Sequence, residues 1–262
     1  MAKPLRLDAE LVRRGLASSR TEARRAIEAG LVAVRGLPAE RPSTMVSPDD
    51  PVTVTRAVRR FVSRGGDKLA GALERLDLRV SGRTWLDAGA STGGFTDCLL
   101  QAGARAVIAV DVGYGQLDWR LRNDERVTVL ERTNVRTLTA AEVPWRPEAV
   151  VADLSFISLT LVLPQLAAVT VPSGDLLLMV KPQFEVGRAK VKKGGVVRDP
   201  ALWLEAIHRV TTEAAVHGWA PVDVTASDLP GPAGNREFFV HLNRRGPHNG
   251  EAAARAVAEA GR

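Results

Sequence analysis

Four ionisable residues, far apart in the chain, carry the strongest chemical signal: Lys68, Asp153, Lys181 and Glu237. Asp153 ends the apolar run Val150-Val-Ala, and Lys181 ends Asp175-Leu-Leu-Leu-Met-Val. Both runs read as buried parallel strands, whose carboxyl ends are where such sheets bind ligands. A lysine at the end of so apolar a strand is costly unless it is paired or uncharged. Desolvation, with Lys68 near, favours an uncharged amine able to take a proton, while Asp153 and Glu237 hold the lysines and the acceptor in place. Two ordinary salt bridges are the alternative that spacing leaves open.

The second signal is the turn Asp87-Ala-Gly89-Ala90-Ser91-Thr-Gly93-Gly94-Phe95. It lacks the second glycine of a dinucleotide fingerprint and the Gly-Lys-Ser/Thr of a P-loop. An acid ahead of the first glycine repels a pyrophosphate but accepts hydrogen bonds from a cationic or zwitterionic ligand. The pattern therefore fits S-adenosylmethionine. Asp111, 22 residues after Gly89, is placed for ribose hydroxyls, with Val112 beside it, and Asn134 follows the next strand where an adenine edge would lie. The candidate cofactor contacts are Asp87, Gly89, Ala90, Ser91, Gly93, Gly94, Phe95, Asp111, Val112, Asn134 and Asp153.

These residues need an α/β frame. Strands are expected at Thr84–Leu86, Ala106–Asp111, Val127–Leu130, Val150–Asp153 and Asp175–Lys181, with helices at Asp67–Leu76, Phe95–Gln101, Ser158–Val169 and Pro200–His217. Alternation of strands and helices gives a mostly parallel sheet. The last two strands, Pro221–Ser227 and Glu237–Leu242, are joined by too few residues for a crossover helix and should be antiparallel. Beyond Arg244 the residues are small and polar, and residues 244–262 are expected to form a disordered tail or a frayed helix.

The first quarter differs in character. Residues 1–60 hold 12 Lys/Arg and 7 Asp/Glu, which is nearly all of the net charge of +6. A helix from Asp8 to Arg14 stops at Gly15, and Ser19 with Glu22 forms a capping box for a second helix that ends at Gly30. Leu31–Val34 and Val52–Thr55 read as strands. The order Leu-Asp, Gly-Leu-Ala-Ser-Ser-Arg, Ala, Ile and Gly resembles the small S4-type RNA-binding domain. Arg6, Arg20 and Arg24 would then meet phosphates, which position a protein without reading sequence. The expected layout is an RNA-binding domain over 1–55, a basic linker over 56–66 and a catalytic domain over 67–243.

Taken in order, Ser-Arg-Gly-Gly-Asp-Lys-Leu, Asp-Ala-Gly-Ala-Ser-Thr-Gly-Gly-Phe-Thr-Asp, Val-Asp-Val-Gly-Tyr-Gly-Gln-Leu, Ala-Asp-Leu-Ser-Phe-Ile-Ser-Leu, Val-Lys-Pro-Gln-Phe-Glu and Gly-Asn-Arg-Glu-Phe resemble the TlyA family over residues 4–243. These are bacterial rRNA 2′-O-methyltransferases, often labelled hemolysins. The resemblance implies a Rossmann-like class I, FtsJ-like methyltransferase domain and a small N-terminal α+β S4-type domain. It also implies a Lys-Asp-Lys-Glu tetrad on Lys68, Asp153, Lys181 and Glu237, with Lys181 activating a cytidine 2′-hydroxyl of ribosomal RNA. No metal is expected. The family's linker tryptophan is replaced here by the phenylalanine of Arg60-Phe-Val. Arg64, Arg132, Arg136, Arg188, Lys190, Lys192 and Lys193 fall in loops at the expected active edge and are candidates to extend the RNA surface.

Composition bounds the rest. With 262 residues and 45% hydrophobic content, the chain has material for one large and one small domain. One cysteine excludes an intrachain disulfide, and Cys98 reads as core. No apolar run suits a membrane span and no N-terminal signal pattern is visible, so a cytoplasmic protein is expected. Rival readings are a non-catalytic ribosome-assembly factor, which loss of a tetrad position would favour, and a membrane-lytic protein.

Overall fold

The computed structural model describes residues 4–17, 19–55, 60–192, 194–245 and 249–261. The chain divides into two compact units between residues 59 and 60.

In the first unit, β1 (Leu5–Arg6) leads into α1 (Leu7–Arg13) and α2 (Arg20–Glu28), followed by β2 (Val32–Val34), β3 (Leu37–Pro38), β4 (Met45–Val46) and β5 (Val52–Val54). Ser19 Oγ accepts from the Glu22 amide at 3.2 Å, so the expected N-cap forms. Strands β3, β2 and β5 make an antiparallel sheet, and β1 pairs with β4. Leu7, Leu11, Ala23, Ile27, Val32 and Val46 form its core.

The second unit contains α3 (Arg64–Arg75), β6 (Thr84–Ala88), α4 (Gly94–Gln101), β7 (Ala106–Val110), α5 (Trp119–Arg122), β8 (Val127–Leu130), β9 (Ala149–Ala152), α6 (Leu163–Val169), β10 (Asp175–Val180), α7 (Pro182–Glu185), α8 (Pro200–Val216), β11 (Ala220–Ala226), β12 (Phe238–Asn243) and α9 (Ala252–Ala260). Its seven strands lie in the order β11-β12-β10-β9-β6-β7-β8. Only β12 runs against its neighbours, so the antiparallel final pair is as expected. The period-two alternation of strands splits the core into two layers. Leu86, Leu176, Leu178 and Phe238 face α6, α8 and α9, whereas Trp85, Leu177, Met179 and Phe239 face α3 and α4.

Three expectations need correction. The linker assigned to 56–66 ends early, because α3 already begins at Arg64, capped by Ser63, whose Oγ accepts from the Gly65 amide; residues 56–59 lie outside the described residues. The glycines there serve close packing: a Cβ on Gly66 would fall 2.3 Å from the Phe61 ring, and one on Gly94 would fall 2.1 Å from Ser63 Oγ. The single helix expected over Ser158–Val169 is broken into a 3₁₀ turn, Leu159–Leu161, and α6, where Pro164 sits in the first turn, the place where a missing N–H is tolerated. The tail is not disordered where it is described: α9 buries Ala252, Ala253, Ala256, Val257 and Ala260 as one stripe. Alanine gives a weak hydrophobic signal, yet its small side chain lets the helix lie close to β11 and α8.

Candidate active site

Register brings the four ionisable residues to one edge. Strands β9 and β10 are parallel, with Ala152 opposite Leu178, so the next residues out carry Asp153 and Lys181 to the same end of the sheet. β12 is antiparallel and places Phe238 opposite Val180. Glu237, at its start, therefore reaches the edge that β10 reaches at its finish. Lys68 arrives from α3. The Lys181 Nζ lies 2.6 Å from Asp153 Oδ1, as an ion pair off the hydrogen-bond line, and donates to Ser155 Oγ at 2.9 Å. Lys68 Nζ donates to Glu237 Oε2 at 2.5 Å.

Lys68, Lys181 and Glu237 are 7%, 8% and 1% exposed, and the Asp153 side chain is 26% exposed. Each lysine has its own carboxylate, and the burial of each is matched by pairing.

The glycine turn adjoins this edge. Gly89 (φ 87°) and Gly93 (φ 97°) need the left-handed region, and Ser91 adopts it too at φ 49°. A Cβ on Gly89 would fall 2.6 Å from the Asp153 carbonyl, so the turn and the end of β9 are in contact. The amides of Gly89 and Ala90 donate to the Val110 carbonyl at 2.8 and 3.1 Å. Asp111 accepts from the amides of Ser91 at 2.8 Å and Gly113 at 2.7 Å, and Val112 stands exposed beside it. Asn134 Oδ1 caps a 3₁₀ turn through the Arg136 amide.

Asp87 is the penultimate residue of β6, closed off from solvent beneath the turn. It shares the α4-facing side of β6 with Trp85, is fully buried, and accepts from Thr96 Oγ1 at 2.7 Å. Burial pushes its carboxyl up to about 7; Thr96 opposes this, and Asp153 and Asp111 add to it. Its Oδ1 has no partner among the described residues. Phe95 and Gly94 also belong to packing, Phe95 at 6.0 Å from the Phe239 ring and Gly94 against α3.

The acceptor-rich turn fits S-adenosylmethionine on two counts. An orphaned buried carboxylate oxygen lies beneath it, and a second carboxylate ends the neighbouring strand. Phosphate-binding lysine is missing from the turn itself.

Three contributors escaped the sequence reading. Ser155 is a direct partner of Lys181. Phe156 is 92% exposed at φ 65°, a rare conformation for a bulky side chain, and its ring lies 5.3 Å from that of Phe184. Glu185 is buried and holds Ser158 and Leu159. An apolar aromatic three residues past the strand-end acid Asp153 was the available signal for Phe156.

Among the candidate RNA contacts, Arg6, Arg20 and Arg24 converge on one buried carboxylate, Asp8. Arg6 Nε lies 3.1 Å from Asp8 Oδ1, and Arg20 and Arg24 each lie 3.1 Å from Oδ2, with all three guanidinium-bearing side chains about half exposed. Burial raises the Asp8 carboxyl, but hydrogen bonds from Arg6, Arg24 and Arg20 outweigh it and hold the group well below the usual carboxylate range. Three cations around one anion leave a local excess of two positive charges. In the second unit, Arg64 donates to the Pro230 carbonyl at 3.2 Å, Arg132 stacks 4.3 Å over Tyr114, and Arg136, Arg188 and Lys192 are exposed. Lys190 is paired with Glu205 at 2.5 Å and is not a free cation. Lys193 lies outside the described residues.

A family profile described as FtsJ-like methyltransferase matches residues 61–244, and one described as S4 domain matches residues 5–52. Sheet order, glycine turn and charged edge thus define an FtsJ-like methyltransferase joined to an S4 domain. Over 243 residues the chain is 55% identical to a Mycobacterium tuberculosis protein named 16S/23S rRNA (cytidine-2′-O)-methyltransferase TlyA, covering 92% of this chain and 91% of the relative. Over 242 residues it is 36% identical to Hemolysin A of Brachyspira hyodysenteriae, covering 91% and 99%. A solved Streptococcus thermophilus structure, provisionally described as a hemolysin, matches with a TM-score of 0.78 at 37% identity, covering 99% of this chain and 96% of that one. The chain belongs to the TlyA family.

Proposed function

We propose that the protein transfers a methyl group from S-adenosylmethionine to cytidine 2′-hydroxyls of 16S and 23S ribosomal RNA, in the cytoplasm. The observation that carries this reading is the pair of buried lysines, each against its own carboxylate, beside the acceptor-rich turn. The 55% identical M. tuberculosis relative supplies the substrate class.

Bound S-adenosylmethionine supplies a methyl group on a sulfonium, which leaves as a neutral thioether. Asp111 would hold the ribose, and Asp87 the amino-acid end. Lys181 does the proton work: in its unprotonated form it accepts the 2′-hydroxyl proton as the oxygen attacks in line. Asp153 and Ser155, which lie against Lys181, would hold the ammonium so formed. Asp153, partly exposed, offers that proton a route to solvent. Lys68, fixed by Glu237, adds a positive charge beside the developing alkoxide.

Phe156 presents a bare ring beside this edge and is a stacking surface for the target base. Arg6, Arg20, Arg24, Arg64, Arg132, Arg136 and Arg188 grip phosphates of the surrounding RNA.

Lys181→Ala should lower single-turnover methyl transfer by roughly 10²- to 10⁴-fold with donor affinity retained. A wild-type rate in that variant would falsify the assignment. Primer-extension mapping of both ribosomal RNAs, with and without the protein, identifies the modified nucleotides.

A further inference from the structure

The loop that follows β9 supports the site in two ways. Asp153 and Ser155 hold Lys181, and Phe156 stands next to them with strained backbone. A bulky residue at positive φ persists only where its surroundings over-determine it. The anchor is a carboxylate that the proton transfer does not use. Glu185, four residues after Lys181 and 1% exposed, accepts from Ser158 Oγ at 2.5 Å through Oε2 and from the Leu159 amide at 2.8 Å through Oε1. Arg209 of α8 donates to the Glu185 backbone carbonyl at 2.8 Å and fixes the end of α7. Phe184, the neighbour of Glu185, carries the ring against which Phe156 lies.

A buried carboxylate is costly, and burial pushes the Glu185 carboxyl up against the opposing pull of Ser158, Leu159 and Arg209. An apolar side chain would fill the same space without that cost.

We infer that Glu185 is a positioning residue for methyl transfer: it registers the loop carrying Asp153, Ser155 and Phe156 against the helix that begins just after Lys181. The inference rests on the methyltransferase reading and deepens it. One carboxylate sets both the partners of the proton acceptor and the surface offered to the target base.

The test uses full-length Glu185→Ala, Glu185→Gln, Ser158→Ala, Phe156→Ala and the Glu185→Ala/Phe156→Ala double variant. Each is assayed on ribosomal RNA with a radiolabelled methyl donor, beside calorimetric donor binding and thermal unfolding. Glu185→Ala should raise the KM for RNA and lower kcat/KM roughly 10- to 100-fold, as expected for small misplacement of a reacting group, with donor affinity kept within about twofold. Glu185→Gln should stay within about fivefold of the parent, because its amide oxygen can accept from Leu159 and its amide NH₂ can donate to Ser158 Oγ.

The double variant should be no worse than Glu185→Ala by more than about twofold, since the two changes act on one loop. Multiplicative losses would overturn the inference, as would an activity loss that only follows the folded fraction or donor binding. If Glu185→Ala does not fold, Ser158→Ala decides: a parental KM for RNA overturns the inference and a raised one supports it. Lys181→Ala separates the two levels. Full activity there sinks the methyl-transfer reading, whereas an inactive Lys181→Ala with a parental Glu185→Ala sinks only the role of Glu185.

Discussion

Asp87 is a residue whose ionisation is strongly distorted by burial, and the distortion has a definite sign. Its folded value of about 7 lies above the ordinary carboxylate value because burial dominates. Its contribution to stability is therefore complete below about pH 4 and drains away as pH rises through about 7. A donor whose ammonium reaches the orphaned Oδ1 would reverse that loss by favouring the carboxylate. S-adenosylmethionine affinity should accordingly tighten several-fold between pH 6 and pH 7.5. Asp87→Asn should flatten that dependence, and calorimetric titration across the range decides it.

Asp8 has the opposite sign. Its folded value is depressed, so its contribution is present above about pH 4 and is lost as pH falls through the folded value. Glu10, held down to about 2 by Arg13 and Arg14 against its own burial, reinforces that trend in the same unit.

At the scale of elements, α9 makes the sharpest claim. Its stripe of alanines is part of the main core, not an appendage. Ala256→Arg should force a charge into that contact and destabilise the second unit by about 3 kcal/mol or more, read as a lowered midpoint in urea unfolding. The same helix shows where sequence reading stops. Strong β-branched and leucine runs made β7, β9 and β10 legible, the glycine turn made the short β6 before it legible, and short connections made the antiparallel β12 legible. That in turn put Glu237 at the active edge. A helix held by methyl groups leaves no comparable pattern. Phe156 and Glu185 were hidden for another reason: a positive φ and a carboxylate gripping a hydroxyl 27 residues away are properties of the folded chain, not of spacing. Arg20 and Arg24 could be placed on one helix face by their separation, but the buried Asp8 that gathers them could not.

For the whole molecule, charge is distributed by task. The formal net charge is +6, and the first 60 residues account for five of those charges. RNA affinity should fall steeply with salt, and Arg20→Ala or Arg24→Ala should each reduce the log–log slope by about 1 without changing which nucleotide is methylated. Filter binding at several potassium concentrations, together with mapping of the product, checks both halves of that statement.

The clustering of Arg6, Arg20 and Arg24 on Asp8 also bears on time. Guanidinium groups already held in place lose little rotational freedom when RNA arrives, so the ordering cost of the complex is small. Removing the hub by Asp8→Asn adds one positive charge, which should leave the encounter rate unchanged or slightly faster. The loosened arginines should then let go sooner. Stopped-flow measurements should show a shorter residence time on RNA, so a single buried acid in a basic domain would act as the clock for how long the enzyme stays on its substrate.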